Sequence, residues 1–528
     1  MSTERTTSER IRRLLADPHT YADGTARVDV VETHISQVFL TERFVYKLKK
    51  PVRFEFLDFS TVERRAEACR EEVRLNRRLA PMVYLGVRPI IESADGRLAL
   101  GSDDARQPGT VVDRVVVMLR LPAERMLDAL WTSGRLTAAD ADRLVEFLAE
   151  YYARAEPLDA DPHRLREACR AHVRANLDDL LRTDAAEERR IRRIHTPQLQ
   201  ALLALPEWFD RRAASGRIID GHGDLRPEHV CLIDPPAVFD CVEFSAELRR
   251  VDALDELCFL AMECDRLGAD DLGRRCIDAY RRRAADDAAA GLETFYKTYR
   301  ASVRAKVAAL RAAQLSNEEA ESQRRLCREY LTSAERYLHD AGARPTLFVV
   351  CGLMGSGKST LARDIAERSG SVLLRTDVVR NEIQGATSAT TDFGQGRYSP
   401  EARRRVYDAT LDRAAGLLTD GVSVVVDGTF TQASLRREAR ARAEAAGARV
   451  LEVRCVCPRE VSLERIRRRR AQTEPDASEA RPELYDAQAA EWEEGPETDD
   501  AYEADTTRDA EVHRRAVLER WGSPFARD

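Results

Sequence analysis

A stretch able to hold phosphate lies in residues 346–370, TLFVVCGLMGSGKSTLARDIAERSG. Its first six residues predict a buried strand, three glycines follow, and Lys358 opens an amphipathic helical pattern that ends at a glycine. The spacing Gly352-x-x-x-x-Gly357-Lys358-Ser359 is the Walker A pattern, in the strand, loop and helix context that this pattern requires. The alternative, a glycine-rich turn with an accidental lysine, explains the spacing but not its context.

The chemistry of phosphate binding accounts for these residue types. Glycines allow backbone conformations that bring successive N–H groups onto phosphate oxygens, and the start of a helix adds partial positive charge. Lys358 would then reach the β- and γ-phosphates of a nucleotide, and the Ser359 hydroxyl would ligate magnesium. The predicted nucleotide-binding residues of this motif are Gly352, Gly355, Ser356, Gly357, Lys358, Ser359 and Thr360.

Lysine is rare in this chain, and its positions point to a second site. Among 84 basic residues, lysine stands only at positions 47, 49, 50, 297, 306 and 358. Because arginine serves as the general positive charge, a retained lysine indicates a role that needs a compact ammonium rather than a planar guanidinium. One of these lysines belongs to the Walker motif, and three more stand together at 47–50.

The segment around these three lysines alternates like a strand, and a helical pattern follows over residues 62–79. In protein-kinase folds a strand lysine contacts the α- and β-phosphates, and a helix glutamate holds that lysine. Lys47 and Lys49 share one face of the strand, so either is a candidate, with Glu72 or Glu71 as the partner. Taken alone, such residues are more often solubilising charges on a strand edge and a helix surface.

Residues 221–245, GHGDLRPEHVCLIDPPAVFDCVEFS, put one carboxylate on a tight His-Gly-Asp turn and another after two short apolar runs. Such a pair can supply a general base and a metal ligand. The segment resembles the catalytic and metal-binding loops of aminoglycoside phosphotransferases, which have a kinase fold. The resemblance implies that Asp224 accepts the proton of the acceptor hydroxyl, that Asp240 binds magnesium, and that residues 115–130 connect two lobes.

One position departs from the pattern of that family. Five residues after Asp224 the family has a metal-binding asparagine, and this chain has His229. Magnesium prefers hard oxygen ligands, so His229 in this metal-binding position leaves two alternatives: an active site with another metal preference, or a degenerate phosphotransferase.

The C-terminal half continues with an α/β pattern. After the Walker helix a short apolar run ends at Asp377, Arg380 follows three residues later, and a buried run at 422–430 contains Asp427. The D-x-x-R element resembles that of small P-loop kinases, including zeta-toxin-like, polynucleotide-kinase-like and AAA-type domains. The resemblance implies that Asp377 orients or deprotonates the acceptor hydroxyl. A helix-start aspartate with a surface arginine is the structural alternative.

Two further predictions concern charge around the transferred phosphate. Asp427 occupies a position like that of the Walker B aspartate, where it would bind magnesium together with Ser359. Residues 464–472 form a basic helical pattern that predicts a lid over the phosphates, with Arg468 and Arg469 as candidate catalytic residues. The choice among the arginines stays open in a chain so rich in them.

Length sets the expected organisation. A chain of 528 residues is expected to form two or three domains, and the predicted boundaries are 1–340, a linker at 341–345, and 346–528. The first domain is predicted to be α+β and protein-kinase-like, and the second an α/β P-loop fold with a parallel sheet. Residues 497–528 are expected to be an acidic connector and a short helix.

Charge and cysteine usage favour a cytoplasmic protein. The net charge of −7 argues against a protein that coats nucleic acid or binds anionic membranes. Eleven cysteines without a CxxC pair suit a reducing compartment. The sequence has neither a signal-peptide pattern nor an apolar run of the ~18 residues that a membrane span needs.

Together the motifs predict a fusion of two kinases, each using ATP and Mg²⁺ to transfer the γ-phosphoryl group to a hydroxyl of a small molecule. Three alternatives stay open. The N-terminal half could be a ligand-binding pseudokinase that regulates the other half; the P-loop half could phosphorylate the 5′-hydroxyl of a nucleic acid; or the chain could be a binding switch driven by ATP hydrolysis. The sequence predicts neither the acceptors nor the oligomeric state.

Overall fold

The computed structural model of the protein describes residues 2–54, 57–102, 108–384, 399–470, 481–494 and 501–521. Contacts between Cα atoms divide the chain into two compact units. Unit 1 comprises Met1–Ala160 and Ser215–Asp287, and unit 2 comprises Asp161–Ala214 and Ala288–Asp528. Within the described ranges, no helix combines the length and the apolar character needed to span a bilayer.

These units divide the chain differently from the predicted domains. Residues 161–214 and 288–340, which belong to the predicted kinase-like domain, group with the C-terminal residues in unit 2. The predicted linker at 341–345 therefore does not coincide with a boundary between the two compact units. The predicted domain limits stay a prediction.

The first 160 residues form an antiparallel sheet with helices on both faces. Their elements are α1 (Ser2–Ala16), β1 (Asp29–Glu32), β2 (Ser36–Leu40), β3 (Phe44–Lys49), β4 (Arg53–Phe54), β5 (Leu57–Asp58), α2 (Val62–Asn76), β6 (Tyr84–Glu92), β7 (Leu98–Leu100), β8 (Thr110–Leu119), α3 (Leu127–Thr132) and α4 (Ala138–Arg154). The main sheet has the order β1-β2-β3-β8-β6-β7, and all neighbouring strands in it are antiparallel.

The alternation of β3 decides where its lysines lie. Tyr46 and Leu48 pack in the core that contains α1, whereas Val45 packs in the core that contains α2. Because successive side chains of a strand point to opposite faces, Lys47 and Lys49 lie on the α2 face with Val45. The strand and helix predicted around the lysines are confirmed, with the lysines facing the helix that carries the glutamate.

Residues 161–340 are mainly helical. Their elements are α5 (Pro162–Leu181), α6 (Glu188–Ala204), α7 (Pro206–Ala214), β9 (Ile218–Asp220), β10 (Val230–Cys231), β11 (Ala237–Val238), α8 (Ala246–Arg249), β12 (Arg250–Asp252), α9 (Ala253–Leu267), α10 (Asp270–Ala284), α11 (Ala290–Gln314) and α12 (Asn317–Asp340). In unit 1 the antiparallel hairpin β10-β11 lies between the His-Gly-Asp turn and Asp240, and β9 pairs with β12.

The C-terminal residues form a parallel sheet between layers of helices. Their elements are β13 (Thr346–Cys351), α13 (Lys358–Ser369), β14 (Val372–Arg375), α14 (Thr376–Gln384), α15 (Pro400–Thr419), β15 (Val424–Asp427), α16 (Ala433–Ala445), β16 (Arg449–Val456), α17 (Arg459–Arg470), α18 (Tyr485–Ala490), β17 (Ala501–Asp505) and α19 (Ala510–Trp521). The sheet order is β14-β15-β13-β16-β17, and each pair is parallel, so the predicted α/β fold with a parallel sheet is confirmed.

The prediction of an acidic connector over residues 497–528 is wrong for part of that range. Ala501–Asp505 is a strand whose residues pair in register with Glu452–Val456 of β16. A five-residue segment with two acidic side chains has weak local strand character, and pairing with β16 supplies the missing stabilisation. Residues 495–500 and 522–528 lie outside the described residues.

Helix α6 packs into a hydrophobic core of unit 2, although it precedes the P-loop strand β13 by more than a hundred residues in sequence. Ala204, at its end, is buried in the same cluster as Phe348 of β13, Ile365 of α13 and Val517 of α19. The Thr196 hydroxyl of α6 also donates to the carbonyl of Gly370 at 3.2 Å. The P-loop sheet therefore buries one face partly against a helix that precedes it in sequence.

We expect Ala204→Asp to destabilise unit 2 by about 3 kcal/mol or more, because the change buries an unpaired carboxylate in an apolar core. Thermal unfolding of the full-length protein measures the effect. Ala445→Asp, at an exposed position at the end of α16, is the control and should change stability by about 0.5 kcal/mol or less. Equal stability of the two variants would contradict the place of α6 in this core.

Candidate active sites

The P-loop of unit 2 has the backbone geometry of a phosphate cradle. It follows β13, and Lys358 begins α13. Gly355 and Gly357 have φ angles of +77° and +86°, which residues with a side chain rarely adopt. A Cβ at Gly355 would also lie 2.5 Å from the carbonyl oxygen of Ser462. These positions require glycine, and the Lys358 ammonium donates to the carbonyl of Leu353 at 3.4 Å.

Three strand ends meet beside this loop. β15 lies between β13 and β14, and Asp427 is opposite both Val350 and Arg375. Asp427 is buried; its Oδ2 lies 3.3 Å from Nε of Arg375, and its Oδ1 has no hydrogen-bond partner among the described residues. The buried Oγ of Ser356 also has none there. Because such atoms are costly to bury unpaired, this edge fits a phosphate ligand with a hard cation such as Mg²⁺.

Asp377 lies at the same edge of the sheet, in the first turn of α14 directly after β14. Its carboxylate pairs with Arg380 one turn later, and the catalytic roles of both stay predictions. Tyr407 of α15 hydrogen-bonds with the Thr429 hydroxyl at 3.0 Å and accepts from the N–H of Phe430 at 2.9 Å. Burial raises the pKa of Tyr407, on which the charges of Arg380 and Asp377 also act. Sequence analysis missed Tyr407 and Thr429, because no motif marks them.

The predicted lid helix is α17, except for residues 471 and 472, which lie outside the described residues. Its arginines face the P-loop across a cavity of about 260 Å³. Arg465 donates to the Thr506 carbonyl at 2.7 Å and to the Thr506 hydroxyl at 2.9 Å, so it holds the segment after β17. The cavity is lined by Gly355, Gly357, Thr360, Leu361, Arg465, Arg468, Arg469, Thr506, Arg508, Ala510 and His513.

Three arginines of the predicted lid helix line this cavity. They are Arg465, Arg468 and Arg469, and Arg465 also holds Thr506. Arg468 and Arg469 stay the predicted catalytic arginines. Sequence reasoning missed Thr506 and the other lining residues after β17, because it did not recognise that strand. Once this edge strand is known, a polar residue directly after it is the feature that points to the site.

In unit 1, Lys47 joins the helix glutamate to the predicted metal aspartate. Its Nζ lies 2.9 Å from Oε1 of Glu72 and 2.7 Å from Oδ1 of Asp240. Lys49 lies 2.5 Å from Oε2 of Glu72 and pairs with Glu243, and its side chain has no exposed surface. Lys47 is therefore the lysine positioned at Asp240, and Lys49 neutralises buried carboxylates.

The charges of this cluster keep one another ionised. Lys47 holds the pKa of Asp240 well below its usual range. Burial raises the pKa of Glu72, but Lys47 and Lys49 outweigh it and hold this pKa below its usual value. The other glutamate considered from the sequence, Glu71, hydrogen-bonds with an arginine of its own helix at 2.6 Å. Glu72 is therefore the partner of both lysines.

Asp240 has the features of a ligand for a hard cation. Its backbone is in the left-handed region, with φ of +63°, and its side chain is 46% exposed. An ionised, accessible carboxylate suits Mg²⁺, which proteins commonly hold through one or two carboxylates and the phosphates of a nucleotide.

The His-Gly-Asp turn is fixed by Glu256 of α9, which sequence reasoning missed. Its Oε2 accepts from the N–H of His222 at 2.6 Å, and its Oε1 accepts from the N–H of Gly223 at 2.8 Å. The Tyr152 hydroxyl donates to Oε2 at 3.0 Å. Glu256 therefore clamps the turn that presents Asp224. Local sequence does not single it out, because Asp255 stands beside it in the first turn of α9.

The structure brings the predicted base and metal residues together. Nδ1 of His229 lies 2.8 Å from the carbonyl oxygen of Asp224, and Nε2 of His229 lies 3.8 Å from Oδ2 of Asp240. Arg226, which sequence reasoning passed over, lies among them with Nε 2.9 Å from Oδ1 of Asp224. The assignment of His229 as a metal ligand stays a prediction.

Comparison with known proteins assigns an AAA domain to residues 347–494. Uncharacterized proteins of Mycobacterium tuberculosis and Mycobacterium bovis are 34% identical over 487 residues, which cover 90% of this chain and 92% of each relative. The structure of the GDP complex of aminoglycoside 2′-phosphotransferase-IIIa covers 61% of this chain and 98% of its own, at 14% identity and a TM-score of 0.35. A gluconokinase from Sinorhizobium meliloti 1021 covers 34% and 94%, at 21% identity and a TM-score of 0.25.

One chain therefore combines a unit that has an antiparallel sheet and a buried lysine–glutamate pair with an AAA domain built on a parallel sheet. The chain belongs to the family of these mycobacterial proteins, since the match extends over nine-tenths of both lengths.

We expect Lys47→Met to raise the Kd for ATP in unit 1 about 10-fold or more, because a charge-assisted hydrogen bond to phosphate is lost. A Lys358→Ala background removes the contribution of the P-loop. Lys49→Met should mainly lower thermal stability, because Glu72 and Glu243 stay buried with one cation fewer. Calorimetry with a non-hydrolysable ATP analogue and thermal unfolding measure the two effects; the reverse pattern would assign the phosphates to Lys49.

Proposed function

We propose that unit 2 is an ATP-dependent kinase that phosphorylates a hydroxyl group of a small molecule. The observation that carries the proposal is the meeting of three strand ends, where the P-loop, Asp427 and Asp377 lie at one edge of the sheet. Ligands of open parallel sheets bind outside the carboxyl ends of the strands. A nucleotide, its cation and an acceptor would therefore bind within reach of one another.

Each residue has a role in this transfer. The N–H groups of the P-loop and Lys358 bind the β- and γ-phosphates, and Ser359 and Asp427 would hold Mg²⁺, which neutralises phosphate charge when bound. Asp377 orients the acceptor hydroxyl and takes its proton while the oxygen–phosphorus bond forms and the bond to ADP breaks. The arginines of α17 that line the cavity stabilise negative charge on the transferred group.

The surroundings of Asp377 favour a small acceptor. Its side chain is 30% exposed, and Arg380, the buried Tyr407 and Thr429 set polar groups around the carboxylate. A nucleic-acid 5′-hydroxyl is the alternative acceptor. The net charge of −7 argues against it, because binding to a phosphate backbone depends on an excess of positive charge. Labelling of oligonucleotide ends with [γ-³²P]ATP separates these two acceptors.

In the full-length protein we expect Asp377→Asn to lower phosphoryl transfer about 10²-fold or more, because the acceptor loses its base. The Kd for ATP should change less than about threefold, since Asp377 is assigned to the acceptor and makes no contact with the nucleotide in this proposal. Lys358→Ala should lower transfer and ATP affinity together. Transfer of labelled phosphate to a metabolite pool and calorimetry measure the two quantities.

The matched control is Asp412→Asn, which alters a largely exposed aspartate of α15 and should leave transfer and affinity unchanged. A large loss of ATP affinity in Asp377→Asn would place this residue on the nucleotide and would contradict its assignment to the acceptor.

Unit 1 carries a second candidate activity of the same class. Lys47 contacts both Glu72 and Asp240, which is the arrangement that kinase folds use to hold phosphates next to a metal. In this proposal Asp224, on the turn clamped by Glu256, takes the proton of a second acceptor hydroxyl. A pseudokinase that regulates unit 2 is the alternative, and the histidine at position 229 favours it.

Phosphoryl transfer by full-length Lys358→Ala across a metabolite panel decides between these alternatives. A product that disappears when Asp224→Ala is added supports a live site in unit 1, because removal of the base prevents the proton transfer. A product that persists in this double variant would refute Asp224 as the base. A pseudokinase would give no product in Lys358→Ala, and Asp224→Ala in the otherwise native chain would then change only the rate of unit 2.

A further inference from the structure

His229 does not fit a second divalent ion in unit 1. Kinase folds hold a second Mg²⁺ on a catalytic-loop asparagine. Nδ1 of His229 lies 2.8 Å from the Asp224 carbonyl oxygen, which only accepts, so Nδ1 carries the proton. Nε2 lies 3.2 Å from Nη2 of Arg226, which only donates, so the Nε2 lone pair accepts. Both nitrogens are engaged, and Mg²⁺ in any case prefers oxygen.

The cationic group at this place is the guanidinium of Arg226. Its Nε lies 2.9 Å from Oδ1 of Asp224, and it also pairs with Glu228. The guanidinium also contacts Nε2 of His229, which lies 3.8 Å from Oδ2 of Asp240. The His229 side chain therefore lies between the guanidinium and the proposed metal ligand Asp240. The Arg226 side chain is 13% exposed, and a charge so little hydrated acts more strongly on its neighbours than one in water.

We propose that the guanidinium of Arg226 supplies the positive charge that a second metal ion supplies in other kinase folds. Unit 1 then binds ATP with one divalent ion, for which Asp240 is the protein ligand. Arginine suits this role because its charge is permanent, and Asp224, Glu228 and His229 hold the guanidinium in place. The inference rests on the proposed function of unit 1 as a site for nucleotide and phosphoryl transfer.

Phosphoryl transfer in unit 1 can be written with Arg226 in this position. The acceptor oxygen bonds to the γ-phosphorus, the bond between this phosphorus and the ADP oxygen breaks, and the acceptor proton passes to Oδ2 of Asp224. Arg226 contacts the other oxygen, Oδ1, and keeps its own protons throughout. The positive charge of Arg226 then lies next to Asp224 and toward Asp240, where the negatively charged phosphoryl group is transferred.

The number of metal ions bound tests this inference directly. Mn²⁺ bound per molecule of a non-hydrolysable ATP analogue is counted by electron paramagnetic resonance in full-length Lys358→Ala, the parent. We expect one ion in the parent and two after Arg226→Ala and His229→Asn are added together, because asparagine restores an oxygen ligand. Arg97→Ala, at an exposed hairpin position, is the control and should keep one ion. Two ions in the parent would overturn the inference.

Affinity provides the second measurement. Arg226→Ala alone should raise the Kd of the analogue about 10-fold or more, and Arg226→Lys should recover part of this loss because it keeps the charge. A merely structural role would lower thermal stability without changing the metal count of the double variant. An unchanged Kd in Arg226→Ala would overturn the role of Arg226 and leave the nucleotide site of unit 1 standing. A parent that does not bind the analogue would overturn that site and the inference with it.

Discussion

The buried ion pair between Lys47 and Glu72 is the interaction on which unit 1 depends. It joins β3 to α2 and, through Asp240, joins both to the loop after β11. Glu72 is fully buried between two lysines, and removing such charges from water costs several kcal/mol for each ion unless partners compensate. The same pairing that offsets this cost holds Lys47 next to Asp240. Stability and the geometry of the candidate nucleotide site therefore share one cause.

Unit 2 depends on a different constraint, the parallel order of its strands. Because all carboxyl ends lie at one edge, the P-loop after β13 is next to Asp427 and close to the start of α14. The sheet needs a covering layer on each face, and part of one layer is α6, whose Ala204 packs with Ile365 and Val517. A fragment that began at the P-loop strand would lack this helix, so the proposed experiments use the full-length chain.

The sequence predicted those features that chemistry ties to short spacings. The P-loop glycines, the His-Gly-Asp turn and the Asp377–Arg380 pair each lie within a few residues, so their types and order suffice. The choice between Lys47 and Lys49 could not be made, because they share a strand face and differ only in whether Asp240 or Glu243 lies opposite. These partners come from more than 190 positions later in the chain.

Glu256, β17 and the role of α6 were missed for the same reason: tertiary contacts, rather than local patterns, define them. The central claim is that one chain holds two nucleotide sites, and its most direct test is the stoichiometry of a non-hydrolysable ATP analogue measured by calorimetry. The account predicts two molecules per native chain, one in Lys358→Ala, one in Lys47→Met, and none in the double variant. A single molecule bound by the native chain, or the loss of both by either substitution alone, would contradict it.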